Sequence, residues 1–222
     1  MLNWIASGLG AAMALASPPI FQPGAPGEET RRLTPEESVA LGQSRYTAAD
    51  VRFMQHMIVH HSQAVEMNAL IADRSTHEGV RLMGARIAAS QISEIGMMRT
   101  WLERRGESPE MSDMSGMDHS AMADIADEPH AGHDMPPSET PLMAGMLSPA
   151  QMARLADAEG DAFDRLFLTG MIHHHQGAID MVEALRAEPG AGEDPELSQF
   201  LSDIVADQSA EIARMRALLA GL

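Results

Sequence analysis

Hydrophobic residues recur at helical spacing through four long stretches of the chain, residues 47–73, 76–105, 161–188 and 194–220. At about 100° per residue, the apolar positions of each stretch fall on one face and most charged residues fall on the other. No stretch alternates apolar and polar residues over the length of a strand, so the pattern predicts no β-sheet. The four stretches predict long amphipathic helices.

A shorter helix is predicted ahead of each pair of long ones. Thr34 and Ser148 can each cap a helix, because a proline follows at the first helical position and Glu37 or Gln151 stands three residues after the cap. Short turns join the helices within each pair, and one long connection joins the two pairs. This arrangement is typical of an antiparallel four-helix bundle. The sequence therefore predicts an all-α fold made of two helical hairpins, each preceded by a short helix.

The two hairpins share a repeated sequence. Leu33, Phe53, Met57, His60, His61 and Met67 recur 114 residues later as Leu147, Phe167, Met171, His174, His175 and Met181. After a shift of three residues, Gln91, Glu94 and Met98 recur as Gln208, Glu211 and Met215. We therefore predict a duplicated unit with pseudo-twofold symmetry, whose first repeat is 33–106 and whose second is 147–222, joined by a linker at 107–146.

The repeated polar and sulfur-containing residues lie on the inward faces of the predicted helices. Burying this much imidazole and carboxylate is costly unless each group is paired or bound to a metal, and the chain has no lysine to pair with the glutamates. The alternative is that the methionines are flexible packing, that the histidines are hydrogen-bonded core residues and that Arg99 and Arg216 pair with the glutamates. The metal hypothesis assigns ligands to Met57, His60, His61, Met67, Gln91, Glu94 and Met98 in the first repeat, and to Met171, His174, His175, Met181, Gln208, Glu211 and Met215 in the second.

The linker at 107–146 differs in composition from both repeats. It is rich in acidic residues and proline and contains no lysine, arginine, phenylalanine, tryptophan or tyrosine. It is predicted to be a flexible spacer because it cannot bury enough apolar surface to order itself. Spacers seldom use methionine, however, and thioethers suit Cu(I) while imidazole suits either oxidation state of copper. The candidate linker ligands are Met111, Met114, Met117, His119, Met122, His130, His133 and Met135.

Composition excludes several classes of function. The chain has a formal net charge of −17, which disfavours nucleic acid and anionic lipid as partners. It has no cysteine, so any soft metal must be held by its 19 methionines rather than by thiolates. Residues 1–16 are apolar and end in Ala14-Leu15-Ala16, which predicts a signal peptide and export to the periplasm or beyond. No other apolar run approaches the length of a membrane span.

The motifs as a whole resemble the domain-of-unknown-function 305 family. The resemblance is carried by Met57-Ile58-Val59-His60-His61 and Met171-Ile172-His173-His174-His175, each followed by a further methionine, and it covers both repeats. It implies a ferritin-like helical fold, export, and a part in periplasmic copper binding and copper resistance. The ligands it implies are Met57, His60, His61 and Met67 with their counterparts Met171, His174, His175 and Met181.

From these observations we expect a copper-binding protein that sequesters or delivers copper, mainly as Cu(I), and is not an enzyme. Silver is an alternative ion, and other copper-handling proteins are the expected partners. Two further functions stay open. Ferritin-like bundles also host di-metal oxidases, although no Glu-x-x-His motif occurs on the long helices. An acidic adaptor with a methionine-rich groove for a partner helix is the other.

Overall fold

The computed structural model describes residues 18–23, 27, 29–42, 45–111 and 138–222. The predicted signal peptide lies outside these residues, as do seven of the candidate linker ligands. Those seven are Met114, Met117, His119, Met122, His130, His133 and Met135. The chain divides into a small unit, 1–44, and a large unit, 45–222.

The small unit contains a two-stranded antiparallel sheet and a short helix. Strand β1 (Ile20–Gln22) pairs with β2 (Arg31–Leu33), so the expectation that the chain has no sheet was wrong. Each strand has three residues, which is too short for an alternating pattern to be recognised. Helix α1 (Pro35–Gly42) follows, and Thr34 and Glu37 cap it reciprocally as predicted: the Glu37 amide donates to Thr34 Oγ1, and the Thr34 amide donates to Glu37 Oε2.

The large unit is an all-α bundle, which confirms the predicted fold class. Its four long helices are α2 (Ala48–Ala69), α4 (Glu78–Glu103), α6 (Gly160–Arg186) and α7 (Pro195–Gly221). Helix α2 packs along α4 and α6 along α7 as two hairpins, which are joined through contacts of α2 with α6 and of α4 with α7. Among the described residues, no helix combines the length and apolar character needed to cross a membrane.

Two short helices complete the large unit. Helix α3 (Ile71–Arg74) occupies the end of the stretch predicted as one helix over 47–73, because the Leu70 amide turns back to the Met67 carbonyl and interrupts the regular hydrogen bonding. Helix α5 (Pro149–Asp157) begins at the predicted Ser148 cap, where the Ser148 and Gln151 side chains bond each other's backbone amides.

The turn between α6 and α7 is fastened to the first hairpin. One carboxylate oxygen of Asp50 accepts from the Thr47 amide at the start of α2, and the other accepts from the Gly192 amide in the turn, at 2.7 Å in each case. Nearby, Arg105 lies over the Trp101 ring and bonds Asp194 at 2.8 Å. These contacts hold one end of the bundle closed.

The apolar core forms two clusters that are separated along the helices by a polar layer. On α2, Met57 belongs to the first cluster and Met67 to the second. On α6, Met171 belongs to the second cluster, and Met181 packs against the first. In each helix the paired histidines stand between these two methionines in sequence. The bundle is therefore apolar towards both ends and polar in the middle.

Candidate metal centre

A layer of four buried histidines crosses the middle of the bundle. His60 and His61 project from α2, and His174 and His175 project from α6, with no side chain more than 1% exposed. The rings of His60 and His174 lie against each other with centroids 3.8 Å apart and an interplanar angle of 37°. Since these two residues are equivalent in the repeats, the repeats meet at this contact.

Each hairpin contributes one histidine–glutamate pair to this histidine layer. His61 Nε2 lies 2.6 Å from Glu94 Oε2, and His175 Nε2 lies 2.7 Å from Glu211 Oε2. A carboxylate oxygen can only accept, so we assign the ring proton to Nε2 in both histidines. In the neutral form of such a ring, the opposite atom, Nδ1, carries the lone pair. Metal-binding histidines commonly donate their second N–H to a carboxylate in this way, which fixes the ring and its tautomer.

All four histidines present an unpartnered Nδ1 in the interior. The Nδ1 atoms of His60, His61, His174 and His175 are buried and make no well-aligned hydrogen bond. The same holds for His60 Nε2, although the Ala144 backbone is a weak partner of the His60 ring and opposes the lowering of its pKa. His174 Nε2 is 2.8 Å from the His60 carbonyl oxygen, to which it donates. An unsatisfied buried polar atom costs about 1–3 kcal/mol. A bound metal ion is one partner that satisfies such an atom.

The protein environment keeps two of these imidazoles neutral. Burial, reinforced by repulsion from His61 and His175, lowers the pKa of His60 to about 3. Burial and the neighbouring His60 lower the pKa of His174 well below its ordinary value. Neutral imidazole is the form that binds a metal. The rings of His60 and His174 are therefore ready to act as ligands at neutral pH without releasing a proton.

Glu94 is held as a carboxylate by its hydrogen bonds. Burial alone would raise its pKa, but the bond from His61 and a second from Ser90 Oγ, at 2.8 Å, outweigh that effect and lower it. Ser90 was not singled out from the sequence. It stands one helical turn before Glu94, and this spacing was the available signal. The second repeat has Asp207 in the equivalent position, so only the first pair has this support.

The two amides assigned as ligands are also buried with unpartnered atoms. Gln91 is fully buried and neither of its side-chain polar atoms makes a hydrogen bond, while Gln208 leaves its Oε1 unpaired. Each amide lies one turn before the glutamate of its hairpin. They add oxygen and nitrogen donors one turn away from the two glutamates that bond the histidine layer.

The methionines lie on either side of the histidine layer in the apolar clusters. Five of the six are fully buried, whereas Met181 is half-buried. Met57 and Met98 belong to the first cluster; Met67, Met171 and Met215 belong to the second. The Met67 methyl group lies 3.3 Å from the position that a Cβ on Gly170 would take, one turn before His174. The glycine that replaces His56 in the second repeat thus makes room for a methionine of the first.

The chain that follows the linker covers the bundle where α2 and α6 meet. We call residues 144–147 the covering segment. Gln63 Oε1 accepts from the Leu147 amide at 2.7 Å, and Gln63 Nε2 donates to the Leu147 carbonyl at 2.9 Å. A Cβ on Gly177 would lie 2.4 Å from the Cα of Gly145. Gln63 and Gly177 are equivalent in the repeats, and both accommodate this one segment.

The candidate ligands do not form a complete coordination shell as they stand. In the parts of the chain that the structure describes, no three imidazole or carboxylate groups converge as a ligand set. An ion bound in the histidine layer would therefore recruit a thioether, an amide or a reoriented ring. Of the linker candidates, Met111 is described and is half-buried.

Several solved structures are similar to this chain. A DUF305 fragment from Deinococcus radiodurans is 30% identical, with 80% of this chain and 99% of that chain covered and a TM-score of 0.61. A DUF305 protein from Streptomyces coelicolor is 29% identical, with coverage of 78% and 93% and a TM-score of 0.60.

CopM in its Cu(I)-bound form is 25% identical, with coverage of 80% and 98% and a TM-score of 0.53. CopM in its Cu(II)-bound form is 27% identical, with coverage of 78% and 96% and the same TM-score. No curated protein matches the chain in sequence. The family model described as a domain of unknown function, DUF305, matches residues 50–219, and the chain belongs to that family.

Proposed function

We propose that this protein binds copper in the histidine layer and serves to sequester or deliver the ion. The observation that carries the proposal is the set of four buried Nδ1 atoms without partners, two of them on histidines whose Nε2 is fixed by a glutamate. A folded protein keeps so many unsatisfied polar atoms at a considerable cost. Binding of a metal ion recovers that cost.

The donor types favour copper over other common metals. The histidine layer supplies imidazole nitrogen, and the methionines on either side of it supply thioether sulfur. Magnesium and calcium instead prefer shells rich in oxygen. The similarity to CopM, which is described in Cu(I)-bound and Cu(II)-bound forms, supports the same choice. Thioethers would favour Cu(I), and the imidazoles would serve both oxidation states.

The proposal divides the site residues into two roles. The histidines bind the ion through Nδ1, and the methionines and the two glutamines complete its shell. Glu94 and Glu211 fix the rings of His61 and His175 rather than binding the ion, because their Oε2 atoms are already engaged by those rings. The linker methionines and histidines form a separate set for weaker capture.

The proposal includes export and a role without turnover. The apolar residues 1–16 carry the expectation of a signal peptide, and the relative from Streptomyces coelicolor is named as a candidate secreted protein. An oxidase would need several carboxylates free to bind metal. Asp50 uses both oxygens for backbone amides, and Glu94 and Glu211 each hold a histidine.

Metal titration of paired histidine variants tests the proposal. We expect the wild-type protein to bind both Cu(I) and Cu(II), and His61→Ala with His175→Ala to lose the tight sites. The matched control is His56→Ala with His173→Ala, which removes two histidines from the same helices but outside the histidine layer. Circular dichroism of each metal-free variant checks folding. Equal losses in the two variants, or none in either, would overturn the assignment.

A further inference from the structure

An open cleft between α4 and α7 reaches Glu94, the partner of the buried His61. The cleft has a volume of about 220 Å³. It is lined by Ser90, Ser93, Glu94, Met97, Phe200, Asp203, Ile204 and Asp207. The Glu94 side chain is 9% exposed while the His61 side chain is fully buried. The Glu94 side chain is thus the exposed part of this pair, and it lines the cleft.

The opposite side of the bundle is covered. The covering segment lies where α2 and α6 meet, held by both hydrogen bonds of Gln63 and by the close approach of Gly145 to Gly177. Gly145 is also next to the carbonyl oxygen of His174. An ion approaching from that side would have to displace a packed segment, whereas the α4–α7 cleft is already open.

The walls of the cleft carry groups that attract and bind a cation. Asp203 and Asp207 are exposed and stand one turn apart on α7, so their carboxylates share a face. Asp203 accepts a hydrogen bond from Gln199 at 2.8 Å. Met97 lies opposite on α4 with half of its surface exposed, which brings a thioether to the cleft.

The duplication does not account for this acidic wall. In the first repeat, the positions equivalent to Asp203 and Asp207 are Arg86 and Ser90. The charge is therefore a feature of one helix rather than a consequence of the repeat. It also places negative charge beside the first pair, where Ser90 rather than an aspartate supports the glutamate.

We propose that copper ions reach the histidine layer through the α4–α7 cleft, docking first at Asp203, Asp207 and Met97 and then passing Glu94 on the way in. This inference rests on the proposed copper-binding function and names the route for it. The ion exchanges water for carboxylate oxygen and thioether sulfur at the rim of the cleft, then for the ligands of the histidine layer. No redox change is involved, and charge is conserved at each exchange.

The rate of copper binding tests the route separately from the affinity. Asp203→Asn with Asp207→Asn keeps the shapes of the side chains and removes two charges. The control, Glu66→Gln with Glu183→Gln, removes two charges from exposed positions on α2 and α6. Stopped-flow mixing with Cu(II), followed by the absorption of imidazole-bound Cu(II), should show association slowed by about tenfold or more in the cleft variant only. Dissociation should slow in parallel, so that Kd changes little, and the dependence of the rate on ionic strength should weaken.

A second pair of variants blocks the cleft without changing charge. Ser93→Phe places a ring in the cleft, and Ala184→Phe adds the same ring to an exposed site on α6. Slower binding in Ser93→Phe alone supports the route. Wild-type rates in both cleft variants would overturn it while leaving the proposed function intact. Failure of the wild-type protein to show copper binding that depends on His61 and His175 would overturn both.

Discussion

The ring of His60 lies against the ring of His174, with centroids 3.8 Å apart, although the two residues are 114 positions apart in the chain. They are the same residue of the repeated unit. The contact means that the donors of the two repeats are brought together in the middle of the bundle instead of standing in two remote sites. Metal binding at one repeat should therefore change the affinity of the other repeat.

Methionine-to-leucine substitution separates ligand chemistry from packing. Leucine fills nearly the same volume, so replacing Met57, Met67, Met171 and Met181 should cost less than about 1.5 kcal/mol of stability at each site. If the thioethers bind the ion, Cu(I) affinity should fall steeply and Cu(II) affinity should fall less. Titrations with both ions and a melting curve of the metal-free protein measure these effects. Met54→Leu, a buried methionine outside the predicted set, is the control. Small and equal losses of affinity for both ions would show that the four methionines pack the core and do not bind copper.

The metal-free protein should lose stability in mild acid. The pKa of His60 is about 3 in the folded protein and 6.5 in its ordinary state, so between these values the unfolded chain binds a proton that the folded chain does not. The free energy of unfolding is therefore independent of this titration above pH 6.5. It falls as the pH falls from 6.5 towards 3, by up to about 1.4 kcal/mol per pH unit. His174 acts in the same direction.

Urea unfolding at pH 7 and pH 5 measures this effect. Glu94 contributes little in that interval, because its lowered pKa affects stability only as the pH falls below its ordinary value of 4.5. His60→Gln should reduce the difference between the two pH values. An equal difference in the wild type and the variant would contradict the assignment of this titration to His60.

Removing the charge of the two glutamates should weaken copper binding without abolishing it. Glu94→Gln with Glu211→Gln leaves the side chains in place but deprives His61 and His175 of a charged acceptor. Loss of such an orienting partner typically costs about 10–100-fold in metal affinity. Competition titration measures the change, and Glu103→Gln, an exposed glutamate on α4, is the control. A loss as complete as that in His61→Ala with His175→Ala would instead make the glutamates direct ligands.

A methyl group at Gly177 should displace the covering segment. The added Cβ would lie 2.4 Å from the Gly145 Cα, a distance that backbone must relieve by moving. We expect Gly177→Ala to lower the free energy of unfolding by about 1–3 kcal/mol. Gly96→Ala, where the new Cβ meets nothing within 4 Å, should raise it by about 0.5–1 kcal/mol. Chemical denaturation compares the two variants. Equal changes in the free energy of unfolding would mean that the covering segment does not pack closely against α6 at Gly177.

The linker should add copper sites without adding stability. Deleting residues 112–137 removes seven of the eight linker candidates and keeps residues 108–110, whose carbonyls at Ser108 and Glu110 accept from Gln55. We expect fewer bound ions by metal analysis at saturation, with the thermal unfolding of the metal-free protein nearly unchanged. A large loss of stability would show that the deleted residues pack as structure.

The features predicted correctly depend on local patterns. Helical periodicity placed the four long helices, and the cap sequences at Thr34 and Ser148 placed the starts of two short ones. The inward orientation of His60, His61, His174 and His175 follows from the same periodicity, and all four are buried. Each of these features is fixed by residues within a few turns of one another.

The features that escaped prediction depend on contacts between distant parts of the chain. The contact between the His60 and His174 rings requires the packing of α2 against α6, which spacing within one helix does not define. The repeats differ at Gln63 and Gly177 because both residues accommodate the covering segment. The roles of these two residues could not be predicted without knowing where that segment packs. The acidic wall of the α4–α7 cleft likewise depends on which faces of two helices meet.

The contact between Asp50 and Gly192 has no counterpart at the equivalent residue of the second repeat, Asp164. In a symmetric dimer of single repeats, every contact across the axis occurs twice, because each copy offers the same surface to the other. Here Asp50 binds the Gly192 amide, whereas the equivalent residue, Asp164, is buried with its Oδ1 unpaired. Fusion into one chain removes the requirement for both copies of such a contact, since the linker holds the halves together at high effective concentration. The two halves of a fused chain can therefore differ at such a contact, as they do at Asp50 and Asp164.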